Sequence, residues 1–195
     1  KGPRSNIFGR KIFSSGTYIV SDHEFLVTER KSYRGKCAGW DCFANKGIAF
    51  AKVKIDGIPF PIDIVTTHMQ SNSKVSDKKA SKARKKQIAV IEEFFEKYVD
   101  ETVPMILAGD INLKPDNPRK PHYGIFKESI SADELTAVNS GNYCLKNPSL
   151  CKIDPETKTE EIYEDTHDHQ FFRATPEVKV EPVFLSRNFR EIFEG

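Results

Sequence analysis

A succession of strand, helix and strand between residues 62 and 108 most constrains what this chain can fold into. Residues 62–67 (IDIVTT) are rich in β-branched side chains and predict a strand. Residues 81–99 repeat Ile88, Ile91 and Phe94 at helical spacing, with charged side chains on the other face, and predict an amphipathic helix. The continuous apolar run 105–108 is typical of a strand buried on both faces. Together these elements predict a crossover unit within a mixed α/β domain.

A hairpin is predicted directly before this unit. Residues 47–55 carry the apolar spacing of a strand, and Asp56-Gly57 is a strong turn signal. Pro59 and Pro61 have no amide hydrogen to donate, so the return strand should pair from about Ile62 onward.

The remaining segments are less regular. We predict a strand at 16–21, a loop at 29–46, a short helix near 122–129, a surface loop at 139–165 and late β-structure at 171–172 and 178–185.

The charge balance limits the class of protein. The chain has 195 residues, with 30 Lys and Arg against 28 Asp and Glu, which leaves a net charge of +2 and excludes a polybasic or acidic tail. The length fits one domain, and no stretch approaches the roughly 18 consecutive apolar residues of a membrane helix. The first residues lack the layout of a signal peptide, and we expect that both ends were cut from a longer polypeptide.

The four cysteines form two local pairs, Cys37 with Cys42 and Cys144 with Cys151. Their spacings do not match the usual zinc arrangement, which makes a zinc site unexpected. Two small disulfide loops and four reduced thiols remain open as alternatives.

Polar residues follow the two strands of the crossover unit, in the segments 67–71 (THMQS) and 109–112 (GDIN). Asp110 and Asn112 are two residues apart, so they point the same way in extended backbone. A carboxylate beside a carboxamide suits a hard cation or a water, and His68 could donate a hydrogen bond to a phosphate oxygen. On spacing alone, a turn or helix cap at 110–112 and an ordinary surface or core histidine at 68 are the favoured interpretations.

An ordered series of motifs resembles a known group. Asn45-Lys46-Gly47, the segment 67–71, Arg84-x-x-Gln87 and the segment 109–112 follow one another as in the endonuclease/exonuclease/phosphatase superfamily. Gly39-Trp40-Asp41 is similar to a motif of its neutral sphingomyelinase branch. The resemblance covers residues 16–115 well and 160–190 weakly.

The resemblance implies a fold. That fold is a mixed β-sheet sandwich flanked by helices, the four-layer deoxyribonuclease I-like architecture, here without its first and last strands. Residues 1–195 would form a single catalytic-type domain that is incomplete at both ends. The family's early metal-binding Glu and its terminal Ser-Asp-His have no counterpart, because Ser21-Asp22-His23 has those letters at the wrong place in the order.

The resemblance also implies a reaction, the magnesium-dependent hydrolysis of sphingomyelin to ceramide and phosphocholine. A nuclease of the same superfamily and a catalytically inactive binding module are the alternatives. The partner implied is a phospholipid membrane surface, with no stable nucleic-acid complex and no protein partner, and a secreted or extracytoplasmic location is favoured. The implied roles are catalytic for His68, Asp110 and Asn112, substrate-binding for Asp41, Lys46 and Gln70, orienting for Asp168, and Mg²⁺-binding for Asp110 and Asn112.

Two further features lie outside these motifs. Residues 74–86 contain seven basic residues and one acid, which predicts a solvated face, with an anionic lipid surface or a nucleic-acid backbone as alternatives. Trp40, the single tryptophan, could pack on the domain or enter a lipid interface, and packing is the expectation.

Overall fold

The computed structural model describes residues 14–113, 122–135 and 167–180. The second cysteine pair, the 139–165 loop and residues 181–185 of the late β-structure lie outside these ranges. The elements are β1 (Glu24–Ser32), a 3-10 helix (Gly39–Phe43), β2 (Gly47–Lys54), β3 (Pro61–His68), α1 (Asp77–Tyr98), β4 (Met105–Asp110), α2 (Tyr123–Ile130), β5 (Asp133–Glu134) and β6 (Asp168–Arg173).

The six strands form one mixed sheet in the order β1-β2-β3-β4-β6-β5. β2 and β3 are the predicted antiparallel hairpin, in register from Lys54 with Pro61 to Ile48 with Thr67. β3 and β4 run parallel, and α1 provides the crossover between them. The mixed sheet, the hairpin and the crossover helix confirm the α/β interpretation.

The core lies between one face of this sheet and the two helices. The sheet contributes Phe50, Val65, Leu107 and Phe171, which belong to the same buried cluster as α1 residues such as Ile91. Residues opposite each other on paired strands share a face, which is why Phe50 and Val65, and Leu107 and Phe171, meet the helices together. None of the described helices is both long and apolar enough to cross a membrane.

Gly109 permits the close pairing of β3 with β4. A Cβ atom built at this position would lie 2.2 Å from the carbonyl oxygen of Thr67. Because that oxygen belongs to backbone and cannot swing aside, any side chain at residue 109 would separate the two strand ends.

Three local predictions were wrong. Residues 16–21 form no strand, and the first described strand is instead β1, whose last four residues lie in the predicted 29–46 loop. β1 is an edge strand with mostly exposed side chains, so burial does not impose a clear alternation on it. β4 is buried on one face only, since Ile106 is 40% exposed while its neighbours Met105 and Leu107 are fully buried.

Candidate active site

The crossover brings the ends of β3 and β4 side by side, with His68 directly opposite Asp110. Nε2 of His68 lies 3.3 Å from Oδ2 of Asp110, and Nδ1 lies 3.0 Å from the carbonyl oxygen of Ser15. A carbonyl can only accept, so the Ser15 contact requires a proton on Nδ1. The contact between Nε2 and the Asp110 carboxylate is at ion-pair distance. Both side chains of this pair are about one-third exposed, so substrate and water can reach them.

Asp110 and Asn112 are held by a tight turn that follows β4. The backbone N–H of Asn112 donates to Oδ1 of Asp110 at 3.0 Å, and Asn112 has a φ of +53°. Asparagine is among the few residues other than glycine that adopt this left-handed conformation at low cost. Nδ2 of Asn112 donates to the carbonyl oxygen of Met69 at 3.1 Å, which ties the turn to the end of β3.

Lys46 also contacts the carbonyl group of Met69. Its amine donates to the Met69 oxygen at 2.9 Å and to Oδ2 of Asp41 at 2.7 Å. Asp41 also accepts from the backbone N–H of Ser71 at 2.7 Å. The pair of Lys46 and Asp41 is therefore joined to Asn112 through one shared acceptor, the carbonyl of Met69.

Gln70 lies behind this network and is fully buried. Its side chain forms two hydrogen bonds with the backbone of Ala38, at 2.7 and 3.1 Å. Gln87 accepts from the backbone N–H of Gln70 at 2.9 Å, and Arg84 donates to its carbonyl at 3.0 Å. The Arg84-x-x-Gln87 motif thus fixes the loop after β3, and burial lowers the pKa of the Arg84 guanidinium.

Asp168 begins β6, the strand next to β4, and pairs with Asp110 in the register. Opposite residues share a face, so Asp168 lies on the face of the sheet that carries Asp110. The preceding residue, His167, accepts a backbone hydrogen bond from Ile111 at 3.0 Å. The structure thus places Asp168 beside the pair of His68 and Asp110.

Sequence reasoning missed a second polar cluster, next to this site but buried. Nδ1 of His169 lies 2.5 Å from Oε1 of Glu134, Nε2 lies 3.0 Å from the carbonyl oxygen of Leu113, and the Tyr123 hydroxyl donates to Oε2 of Glu134. Burial raises the pKa of Glu134, but the hydrogen bonds from His169 and Tyr123 outweigh it and bring the pKa below its ordinary value of 4.5. Only Asp168-His169 was visible in the sequence, because Glu134 lies 35 residues away.

Few side chains at the ends of β3 and β4 could coordinate a cation. Within 14–113, 122–135 and 167–180, no three His, Cys, Asp or Glu side chains cluster in a way that could hold a metal ion. Asp110 provides a one-third exposed carboxylate, and the described hydrogen bonds of Asn112 use its nitrogen atoms. A carboxylate and a carboxamide oxygen fit part of the shell of Mg²⁺, which usually keeps several waters and binds substrate phosphate.

No protein-family model and no curated protein matches this sequence. Solved structures match with TM-scores above one half. The crystal structure of SmcL gives a TM-score of 0.60 at 20% identity, covering 83% of this chain and 54% of that one. A hairpin-deletion mutant of beta toxin from Staphylococcus aureus gives 0.58 at 18% identity, covering 89% and 61%. Sphingomyelinase C from Streptomyces griseocarneus gives 0.52 at 21% identity, covering 78% and 50%.

These similarities establish the fold. An endonuclease/exonuclease/phosphatase protein from Beutenbergia cavernae also matches, with a TM-score of 0.50 at 18% identity. The chain therefore has the deoxyribonuclease I-like fold that the motifs predicted, and its resemblance to sphingomyelinases is confirmed at the level of fold. It spans about half to three fifths of the length of the first three structures.

Proposed function

We propose that this protein is a magnesium-dependent phosphodiesterase that hydrolyses sphingomyelin to ceramide and phosphocholine. The observation that carries the proposal is the pair of His68 and Asp110 at the carboxyl ends of two parallel strands, where open α/β sheets bind ligands. The coarser statement, a hydrolase of the phosphodiesterase and nuclease type, agrees with every solved structure described above. Sphingomyelin as the substrate follows from the motifs around Asp41 and Lys46 and from the name of one matching structure.

The two side chains of the pair would have different roles in the reaction. The partly exposed Asp110 carboxylate would orient the attacking water and accept its proton. His68, when protonated on Nε2, would donate to a phosphoryl oxygen, where negative charge grows in the transition state, while its Nδ1 is held by the carbonyl of Ser15. The water oxygen forms a bond to phosphorus as its proton passes to Asp110, and the bond from phosphorus to the ceramide oxygen breaks. The ceramide oxygen takes up a proton from solvent, and Asp110 later returns its proton to solvent.

The remaining residues position this pair. Asn112 holds Asp110 through its backbone N–H and holds the end of β3 through Met69. Lys46 donates to the same Met69 carbonyl and forms an ion pair with Asp41, so it fixes the end of β3 without adding net charge. These contacts fix the geometry before substrate binds, which reduces the entropy lost on reaching the transition state.

A magnesium ion would be held by the oxygens of Asp110 and Asn112 together with water and substrate. When bound, it would polarise the phosphate as a Lewis acid. A matching beta toxin structure from Staphylococcus aureus has bound magnesium ions.

A nuclease is the second candidate, because six exposed lysines lie between residues 74 and 86, in the segment after β3 and the first half of α1. One preparation should be assayed on sphingomyelin vesicles and on plasmid DNA, each with magnesium and with a chelator. We expect magnesium-dependent release of phosphocholine. Cleavage of DNA alone would overturn the substrate, and inactivity on both substrates would favour a binding module.

A secreted or extracytoplasmic location is part of the proposal. Cys37 and Cys42 form a disulfide in the structure, which resolves the alternatives for this pair in favour of the bond. Disulfides persist in oxidising compartments and are uncommon in the cytosol.

A further inference from the structure

Two aromatic side chains are exposed at the loop that the disulfide between Cys37 and Cys42 closes, one within it and one directly after it. Trp40 is 64% exposed and Phe43 is 40% exposed, with ring centres 5.8 Å apart. The expected packing of Trp40 on the domain is therefore wrong. We call residues 37–43 the aromatic loop. Tryptophan is enriched at membrane interfaces, where its apolar ring and its polar N–H are both accommodated.

A positively charged groove lies between this loop and α1. Lys79, Lys82 and Lys86 are spaced three and four residues apart, so they share one face of the helix. They line a groove of about 330 Å³ whose other wall includes Gly35 and the first residues of the aromatic loop. Like charges at this spacing destabilise a helix, and an anion in the groove would relieve their repulsion.

Lys74 and Gly39 join the loop to the groove. The Lys74 amine lies 6.0 Å from the centre of the Trp40 ring, at the outer limit of a cation–π contact. Gly39 has a φ of +60°, and a Cβ atom there would lie 3.3 Å from Cβ of Val75. The aromatic loop therefore packs against the segment that leads into α1, and the aromatic and basic side chains form one continuous surface.

This surface lies at the end of the sheet where β3 and β4 finish and where the candidate active site is found. The aromatic loop connects β1 to β2, and β2 begins where β3 ends, since Ile48 pairs with Thr67. α1 starts at the same edge because it follows β3. Asp41, next to Trp40, is joined through Lys46 to the Met69 carbonyl.

From these contacts we propose that the aromatic loop and the lysines of α1 dock the protein on a membrane containing anionic phospholipids. The inference rests on the proposed function, because it places a lipid surface at the mouth of that site. Lysine amines pair with lipid phosphate and carboxylate groups, and the exposed rings enter the headgroup region. Stacked nucleic-acid bases fit less well, because the two rings are tilted by 48° and Lys74 lies over one face of Trp40.

The test uses Trp40 as the reporter, since it is the only tryptophan of the chain. The whole protein is titrated with vesicles of equal parts phosphatidylcholine and phosphatidylserine, and with vesicles of phosphatidylcholine alone, neither containing sphingomyelin. We expect a blue shift of the tryptophan emission with the anionic vesicles and a much weaker response with phosphatidylcholine. An unchanged emission with both kinds of vesicle would overturn the proposal.

A matched pair of variants assigns the binding to the groove. Lys79→Gln with Lys82→Gln should weaken partitioning roughly 25-fold, since each lysine near an anionic surface contributes about five-fold. Lys54→Gln with Lys97→Gln removes the same charge from exposed lysines at the opposite edge of the sheet and should leave partitioning nearly unchanged. Equal losses in the two double variants would mean that net charge alone drives binding, which contradicts a specific docking surface.

The aromatic contribution is tested by Phe43→Ala, which keeps the reporter and should weaken binding several-fold. A larger emission change with single-stranded DNA than with anionic vesicles would identify a nucleic-acid surface instead and would overturn the proposal. Hydrolysis of detergent-dispersed sphingomyelin, which needs no vesicle, is measured separately. Its loss would count against the proposed function and not against docking.

Discussion

Two histidines of this protein have the same kinds of partner and very different surroundings. His68 and His169 each lie between a carboxylate and a backbone carbonyl. The His68 side chain is 29% exposed and lies 3.3 Å from Asp110, whereas that of His169 is fully buried and lies 2.5 Å from Glu134. A pair open to solvent can exchange partners with substrate and water. A fully buried pair has no such access. Exposure therefore favours a chemical role for His68, and burial favours a structural role for His169.

The largest effect should come from His68→Ala. Removing a donor that stabilises transition-state charge costs roughly 100- to 1,000-fold in turnover. The free energy of unfolding should change by less than about 1 kcal/mol, because the side chain is partly exposed. Hydrolysis of sphingomyelin and urea unfolding are measured on the same preparation. His23→Ala, which removes a histidine from the turn before β1, is the control, and near-normal turnover of His68→Ala would end the catalytic assignment.

The opposite pattern is expected for His169→Ala. This change removes the histidine that pairs with the buried Glu134 carboxylate and leaves Tyr123 as a donor to it, and breaking a buried pair costs about 3 to 5 kcal/mol. Urea unfolding should show the loss, with turnover per folded molecule much less affected than in His68→Ala. A stable His169→Ala protein with the turnover defect of His68→Ala would show that the buried pair takes part in the chemistry.

Tyr123→Phe should have a smaller effect on the same cluster. It removes only the hydroxyl that donates to Glu134, and one lost hydrogen bond to a charged group costs about 1.5 to 3 kcal/mol. The exposed Tyr18→Phe serves as the matched control for loss of a hydroxyl. Equal unfolding free energies for the two variants would remove Tyr123 from the cluster.

The smallest expected difference concerns pH. The pKa of Glu134 is below 4.5 in the folded state, so its carboxylate adds stability above pH 4.5. That contribution falls as the pH drops below 4.5 and through the lowered folded-state pKa. Glu134→Gln lacks this titration, so the gap in unfolding free energy between wild type and variant should narrow with acid. A gap that is constant from pH 6 down to about pH 3 would contradict the pairing.

Local periodicity predicted the elements whose signals are local. The hairpin around Asp56-Gly57 and helix α1 were found because turn residues and a repeated apolar face act within a few residues. β1 was missed because an edge strand pairs on one side only and keeps polar residues along its length. Ile106 was expected to be buried, since an apolar run does not show which faces of its strand are covered.

The candidate site also has features that the local sequence predicts and features that it does not. His68, Asp110 and Asn112 could be selected because each follows a recognisable strand and belongs to an ordered motif. That the first two lie 3.3 Å apart follows from the parallel register of β3 with β4. Gln70 belongs to the same motif, yet its side chain is turned toward the Ala38 backbone, a direction that no spacing rule could give.

By itself, the sequence determined the crossover unit, the hairpin and the order of the motifs, because turn propensity and side-chain period are written in neighbouring residues. Only the tertiary structure decided that His68 is open to solvent and His169 is sealed, that Glu134 meets a histidine 35 positions away, and that Trp40 points outward. Exposure and pairing depend on contacts between residues that are far apart in the sequence. No local sequence pattern encodes those contacts.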